Sequence, residues 1–322
     1  MQEVVTNMAR NVESAGRYDV VIVGGGAAGL SAALMLGRAR RSVLVVDSGE
    51  PRNAPAAHMH GFLSRDGQPP GELLAMGRKE IAAYDGEVLA GRVRTVVQEE
   101  RDFTVELEEG RTARARRLLV TTGITDELPD IPGLAARWGR DVVHCPYCDG
   151  WEVRDEPIGV LATGPLSVHQ ALLFRQWTDR LTFLRHTGPQ PADDEFVQLA
   201  ARGIAVVEGK VTELEVVDDR LAGVRLDSGD LIPLRALAIA PRAVPRAALL
   251  AGLGLEPSPH PGGAFIAADA TGLTVVPGVW VAGNVSDPSA NVLLSAASGA
   301  KAAGAINADL IAEETREAVH GF

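Results

Sequence analysis

Tyr18-Asp-Val-Val-Ile-Val-Gly24-Gly-Gly26-Ala-Ala-Gly29-Leu-Ser-Ala-Ala-Leu-Met-Leu-Gly-Arg38 decides the fold. A short apolar, β-branched run from Tyr18 to Val23 leads straight into a glycine loop, and a helical pattern follows from Leu30 to Arg38. Strand, Gly-x-Gly-x-x-Gly loop and helix in this order form the dinucleotide fingerprint. Gly24 serves the tight turn, Gly26 the close approach of a pyrophosphate, and Gly29 the packing of helix on strand. A glycine pattern alone is a weak signal. Here a second apolar run, Ser42 to Val46, ends in Asp47, at the interval where a carboxylate takes a ribose hydroxyl.

Beyond Asp47, Pro51 opens a loop in which Arg52 and Asn53 are further candidates for holding the nucleotide. The segment His58-Met-His60-Gly-Phe62 follows; its histidines read equally well as surface groups or as groups facing the cofactor or substrate. A helix is predicted from Pro70 to Tyr84, antiparallel strands from Glu87 to Gly110, and another apolar strand from Arg117 to Thr122. Thr122 and Gly123, then the proline-rich exit through Pro129, Ile131, Pro132 and Gly133, read as a chain passing a bound nucleotide and leaving its domain. The strand Pro157 to Ala162, the turn Thr163-Gly-Pro-Leu-Ser167 and the apolar helix Val168 to Trp177 outline a second nucleotide site. In that outline the first glycine is Ala162, Pro165 lacks an amide donor, and the following strand ends in Arg185-His186-Thr187 without an acidic residue. Near Pro245 the chain returns to the first domain, with a strand running into Gly283-Asn284 and a long helix from Val292 to Ile311. The N-terminus of that helix, at Ala290, Asn291 and Val292, can aim backbone donors at an electron-rich ring. The predicted fold class is α/β, with two Rossmann-like three-layer nucleotide-binding domains, the second inserted into the first. The boundaries fall at 1–124, 125–244 and 245–322.

The inserted segment carries His144-Cys-Pro-Tyr-Cys-Asp-Gly150, which holds both cysteines of the chain. A structural zinc site needs two more ligands at matching spacing, and no second pair exists, so no metal is expected. Two thiols on a tight turn opening a helix gain thiolate character from exposed amides and the helix dipole, which suits a redox dithiol. Asp149, directly after Cys148, and His144, directly before Cys145, are candidates to move protons.

At 322 residues the chain is long enough for two cores, and it has no apolar run able to cross a bilayer. A net charge of −11 and a pI near 5.2 argue against nucleic acid and anionic membrane surfaces as partners. Met1 to Gly16 reads as a polar leader without a secretion signal, and two cysteines make no secreted disulfide framework, so a cytoplasmic protein is expected. Only Lys79, Lys210 and Lys301 among the 31 basic residues are lysine, a coding bias and not a chemical signal.

Taken together, Gly24 to Gly29, Asp47, Thr122-Gly123, Cys145-Pro-Tyr-Cys148-Asp149 and Gly283-Asn284 resemble the low-molecular-weight thioredoxin reductase family over nearly the whole chain. That resemblance implies FAD in the first domain, a homodimer, a charge-transfer thiolate at Cys148, and Cys145 as the sulfur that exchanges with substrate. The departures carry information too. Reductases of the family keep a full glycine loop and an arginine pair for NADPH, which here read Ala162, Gly164, Pro165 and Arg185, His186, Thr187. Their Gly-Asp near the ribityl chain is Gly283-Asn284, and an Arg-Gln pair before the last helix is Ala290-Asn291. These losses resemble the branch of dithiol oxidases that close the disulfides of natural products such as holomycin and gliotoxin. The expected reaction is oxidation of a small-molecule dithiol through Cys145/Cys148 and flavin to O2, with H2O2 formed. The rival readings are an NAD(P)H-dependent or other-donor disulfide reductase and a flavin-bound redox sensor without turnover.

Overall fold

The computed structural model describes residues 16–321. Apart from Gly16, the polar leader lies outside these residues. The first domain lays down β1 (Arg17–Val23), α1 (Ala27–Arg38), β2 (Val43–Asp47), α2 (Pro70–Ala82), β3 (Glu87–Ala90), β4 (Val93–Glu99), β5 (Asp102–Leu107) and β6 (Thr112–Val120). A short strand, β7 (Ile124–Glu127), leads out of it, followed by α3 (Leu134–Arg137), β8 (Val142–Val143) and α4 (Pro146–Asp149). The second domain continues with β9 (Ile158–Leu161), α5 (Ser167–Phe174), β10 (Leu181–Leu184), α6 (Asp193–Ala201) and β11 (Ala205–Val207). It closes with β12 (Val211–Val217), β13 (Arg220–Leu226), β14 (Leu231–Pro233) and β15 (Ala236–Ile239). The return comprises β16 (Arg242–Pro245), β17 (Ser258–His260), β18 (Gly263–Phe265), β19 (Val279–Val281) and α7 (Val292–His320).

The first sheet has the order β3-β2-β1-β6-β5-β4, and β19 joins it alongside the C-terminal half of β6. A late strand therefore completes a sheet begun early, and the chain between them forms its own sheet, β11-β10-β9-β15-β8. The second Rossmann-like domain is inserted into the first. Where the chain crosses, β7 and β16 run antiparallel, Ile124 opposite Pro245.

Alternation along β1 explains the layers. Val20 and Ile22 point to one face, where they meet Ala32, Leu36 of α1 and Ile306, Leu310 of α7; Val21 and Val23 point to the other, where they meet Val96, Phe103 and Val105 of the β4–β5–β6 meander. A parallel strand buried on both faces must be apolar throughout, as this run is. The inserted domain repeats the plan, with α5 and α6 on one face of its sheet and the three-stranded β12-β13-β14 sheet on the other.

Two expectations are corrected. Glu87 to Ala90 is parallel to β2, because α2 serves as the crossover that returns the chain in the same direction; within the span Glu87 to Gly110 the antiparallel pair is β4 with β5. The last helix continues past Ile311 to His320. Arg116 and Arg117 on β6 and Arg41 pair with Asp309, Glu313 and Glu314, which holds this charged final stretch on the domain. Among the described residues no helix is long and apolar enough to cross a membrane.

Candidate active site

The glycine loop and the cysteine turn open onto one cleft of about 690 Å³. Gly24, Gly26, Asp47, Arg52, Asn53, Thr122, Gly123, Gly283, Asn284, Asn291 and Val292 line it from the first domain. His144, Cys145, Cys148 and Asp149 line it from the second. Gly29 alone among the candidates is not in the wall. It lies beneath, where a Cβ would sit 1.9 Å from the Gly24 carbonyl oxygen, so its role is packing of α1 on the loop.

Three features of the first-domain half fit a dinucleotide such as FAD. A Cβ on Gly26 would meet no protein atom within 4 Å, so the space above this residue is cleft. Gly26 also caps α1 without a side-chain bond, leaving the first amides of that helix directed outward. Thr122 Oγ1 is buried without a protein partner in the same wall.

Several candidate side chains are already engaged. Asp47 Oδ1 accepts from the amides of Gly25 and Gly49, each at 3.2 Å, and Oδ2 accepts from Arg78 at 2.7 Å. A carboxylate has about four acceptor sites, so these three donors leave one for a ribose hydroxyl. Arg52 makes a bidentate pair with Asp126, 2.8 Å on each arm, which ties the loop after β2 to β7. Asn284 Nδ2 donates to the Ala290 carbonyl at 2.7 Å and to the Asp287 carbonyl at 3.1 Å, a bond that an aspartate could not make. Asn291 Oδ1 accepts from the Leu294 amide at 2.9 Å and caps α7, so its side chain serves the helix start.

In the second-domain half, Cys145 is the N-cap of the single-turn helix Pro146–Asp149. The neighbouring Cys148 thiol, the largest effect, and to a lesser degree the backbone amides of Cys148 and Tyr147 bring Cys145 down to about 7, against the opposing effect of burial. Cys148 moves the other way, because it donates to Cys145 and is buried beside Asp149. In the reduced pair, then, the charge rests on Cys145 and the proton on Cys148.

Burial, with the Glu152 carboxylate nearby, pushes Asp149 up to about 6, against a smaller opposing effect of His60. His144 donates from Nδ1 to the Ile239 carbonyl at 3.1 Å, which leaves Nε2 as an acceptor, and burial lowers its pKa. Gly150 is required by its neighbours, since a Cβ there would lie 2.4 Å from the Pro146 carbonyl oxygen and 3.0 Å from the Trp177 indole. Trp177 in turn meets the Tyr147 ring edge-on at 5.7 Å.

Selective alkylation follows from this asymmetry. In the reduced protein, Cys145 should react with iodoacetamide first, with a midpoint near pH 7, and Cys148 in the Cys145→Ser variant should react only at clearly higher pH. Peptide mapping after a timed quench reads both; faster labelling of Cys148 would reverse the assignment.

Sequence reading did not single out Arg78, which pairs with Asp47, or Gln170, whose Nε2 holds the His144 carbonyl at 2.8 Å. Both left a signal. Arg78 shares a helix face with buried Leu74 and Ile81, and Gln170 with buried Ser167, Ala171 and Phe174; a polar residue on an apolar stripe needs a partner. Among the described residues, no group of three or more His, Cys, Asp or Glu side chains is placed to hold a metal.

The sequence profile of the pyridine nucleotide-disulphide oxidoreductases matches residues 18–304. The chain belongs to this family. It is 36% identical over 253 residues to thioredoxin reductase tcpT of Claviceps purpurea, an alignment covering 75% of this chain and 79% of that one. Among solved structures, HlmI is 50% identical with a TM-score of 0.90, covering 94% of this chain and 95% of the other. An oxidoreductase from Agrobacterium tumefaciens is 38% identical with a TM-score of 0.87, covering 92% and 99%. The protein is thus a thioredoxin reductase-like disulfide oxidoreductase, of a family that is typically flavin-dependent.

Proposed function

We propose that this oxidoreductase binds FAD and oxidises a small-molecule dithiol to its disulfide, with O2 as the final acceptor. The observation that carries this reading is a contrast between the two nucleotide loops. The first is open to a large cleft that also holds the cysteine pair. In the second, the amides of Thr163 and Gly164 donate to the buried Ser167 Oγ, at 3.2 and 3.3 Å, and so are satisfied within the loop. Arg185 pairs with Glu208 at 3.3 Å, and His186 Nδ1 accepts the Val211 amide at 3.1 Å, which keeps that ring nitrogen unprotonated. Two of the loop amides and both candidate cation positions are thus engaged within the protein, and Pro165 has no amide to give, which favours the oxidase over an NAD(P)H-fed reductase.

In this reading one substrate thiolate attacks the Cys145 sulfur of the Cys145–Cys148 disulfide, and the S–S bond breaks toward Cys148. Asp149, protonated below about pH 6, gives its proton to the departing Cys148 sulfur. The second substrate thiol yields its proton to Asp149 and attacks the substrate sulfur bound to Cys145, closing the substrate disulfide. Cys145 leaves readily because its pKa is low, near 7. Of the two protons that the dithiol loses, one ends on Cys148 and the other passes to solvent, for which His144 Nε2, a lone pair in the same cleft wall, is the candidate carrier. FAD, when bound, supplies the two-electron chemistry that reoxidises the pair and hands the electrons to O2 as H2O2. We also place the domain boundaries at the paired crossovers, near residues 124 and 244, and expect a cytoplasmic homodimer.

The test is oxygen consumption. Catalytic amounts of the flavin-loaded protein with dithiothreitol should consume O2 and form H2O2 in equal amounts, and Cys145→Ser should abolish both. A flavin-loaded protein that turns over no dithiol would favour the redox-sensor reading.

A further inference from the structure

The strand that delivers the cysteine turn is short and sits at an edge. β8 is the last strand in the order β11-β10-β9-β15-β8, and its pairing with β15 ends at Val143, opposite Ala238. His144, next in the chain, therefore lies between the end of the ladder and Cys145, the N-cap of α4. Two bonds from distant segments hold it there. Its ring Nδ1 donates to the Ile239 carbonyl at 3.1 Å, and its own carbonyl accepts from Gln170 Nε2 at 2.8 Å.

Gln170 is only 6% exposed, on the buried face of α5 with Ser167, Ala171 and Phe174. The orientation of its amide is fixed, because a carbonyl can only accept and so must face the nitrogen. Oε1 is consequently left buried without a partner among the described residues. An orphan acceptor in the interior lowers stability, a cost that an apolar side chain of similar size would avoid. One turn earlier, Ser167 Oγ holds the Thr163 and Gly164 amides. The same face of α5 thus closes the second nucleotide loop and grips the peptide that precedes Cys145.

We propose that Gln170 is a positioning residue for the dithiol reaction: its amide holds the His144–Cys145 peptide so that the His144 ring and the Cys145 sulfur face the cleft together. Both of these side chains line the cleft and Gln170 is not part of its wall, so it acts through them. The carbonyl it grips belongs to the planar peptide unit joining the two residues, so turning that unit would displace both side chains at once. The proposal rests on the reading of the cysteine pair as a redox dithiol, but not on FAD or O2.

The experiment follows reduction of the Cys145–Cys148 disulfide of the purified protein by excess dithiothreitol, anaerobically, by quenched thiol labelling from pH 5 to 9. Each variant is read as a rate ratio to the wild type at the same pH, which cancels the titrations common to both, those of His144, Asp149 and dithiothreitol. Gln170→Leu removes the donor, and its ratio should fall about tenfold at every pH. Gln170→Glu is the decisive variant. A protonated carboxyl can donate to the His144 carbonyl and an ionised one cannot, so the ratio should stay near one at the acid end and fall toward the Gln170→Leu level as pH rises. Burial moves that fall above the ordinary carboxylate range; a ratio near one throughout, with Gln170→Leu slow, means that the carboxyl stays protonated and supports the same role. Thermal midpoints of the same proteins read stability separately. Lowered midpoints with rate ratios of one, or an equal loss of rate in both variants at every pH, would overturn the proposal in favour of a merely structural contact. Should Gln170→Leu fail to fold, the pH dependence of Gln170→Glu decides alone. A wild-type disulfide that dithiothreitol does not open would instead count against the dithiol reading itself, and the proposal would fall with it.

Discussion

NADPH and NADH should leave the flavin of this protein oxidised under anaerobic conditions, while dithiothreitol bleaches it within the same time window and air restores the colour. Recognition of a nicotinamide dinucleotide uses loop amides on the pyrophosphate and paired cations on the ribose phosphate. Here the Thr163 and Gly164 amides are turned onto Ser167, Arg185 is paired with Glu208, and His186 is an acceptor for Val211. Losing two charged hydrogen bonds at roughly 1.5–3 kcal/mol each would weaken binding by about 10²- to 10⁴-fold. Anaerobic stopped-flow comparison of the three reductants decides the matter. Fast bleaching by either nicotinamide at micromolar concentration would favour the reductase.

Gly26→Val should yield a folded protein that purifies without flavin. The backbone at Gly26 has φ −79° and ψ −172°, extended geometry open to any residue, and an added Cβ meets nothing in the protein. The valine would instead stand in the cleft, over the exposed amides of α1. Overpacking at about 1–3 kcal/mol together with loss of a charge-assisted bond at about 1.5–3 kcal/mol predicts a drop in affinity of about 10²- to 10⁴-fold. Absorbance at the flavin band reads cofactor content, and circular dichroism confirms the fold. Gly29→Ala is the contrast: its methyl would strike the Gly24 carbonyl oxygen at 1.9 Å, so it should lose stability as well as cofactor. A Gly26→Val protein that stays yellow would place the cofactor elsewhere.

The first glycine loop and the cysteine pair were legible in the residues, because each depends on chemistry set within a few positions of chain. A continuous apolar run specifies β1, Gly24 and Gly29 specify a turn that only small residues can make, and Cys145-Pro-Tyr-Cys148 closes on itself within one helical turn. What is set between distant segments was not legible. The direction of β3 came from the crossover through α2, and the extension of α7 to His320 came from Arg41, Arg116 and Arg117 gathering its acidic side chains. The bond from Asn284 to the Ala290 carbonyl and the salt bridge of Arg52 with Asp126 join groups that no spacing rule brings together. The same holds for His60, which one loop presents to a carboxylate of the other domain. Hydrogen bonds and ion pairs of this kind are made only where folding removes competing water and sets donor against acceptor. The sequence by itself therefore determined which chemistry the chain carries, and the tertiary structure decided which side chains remain free to perform it.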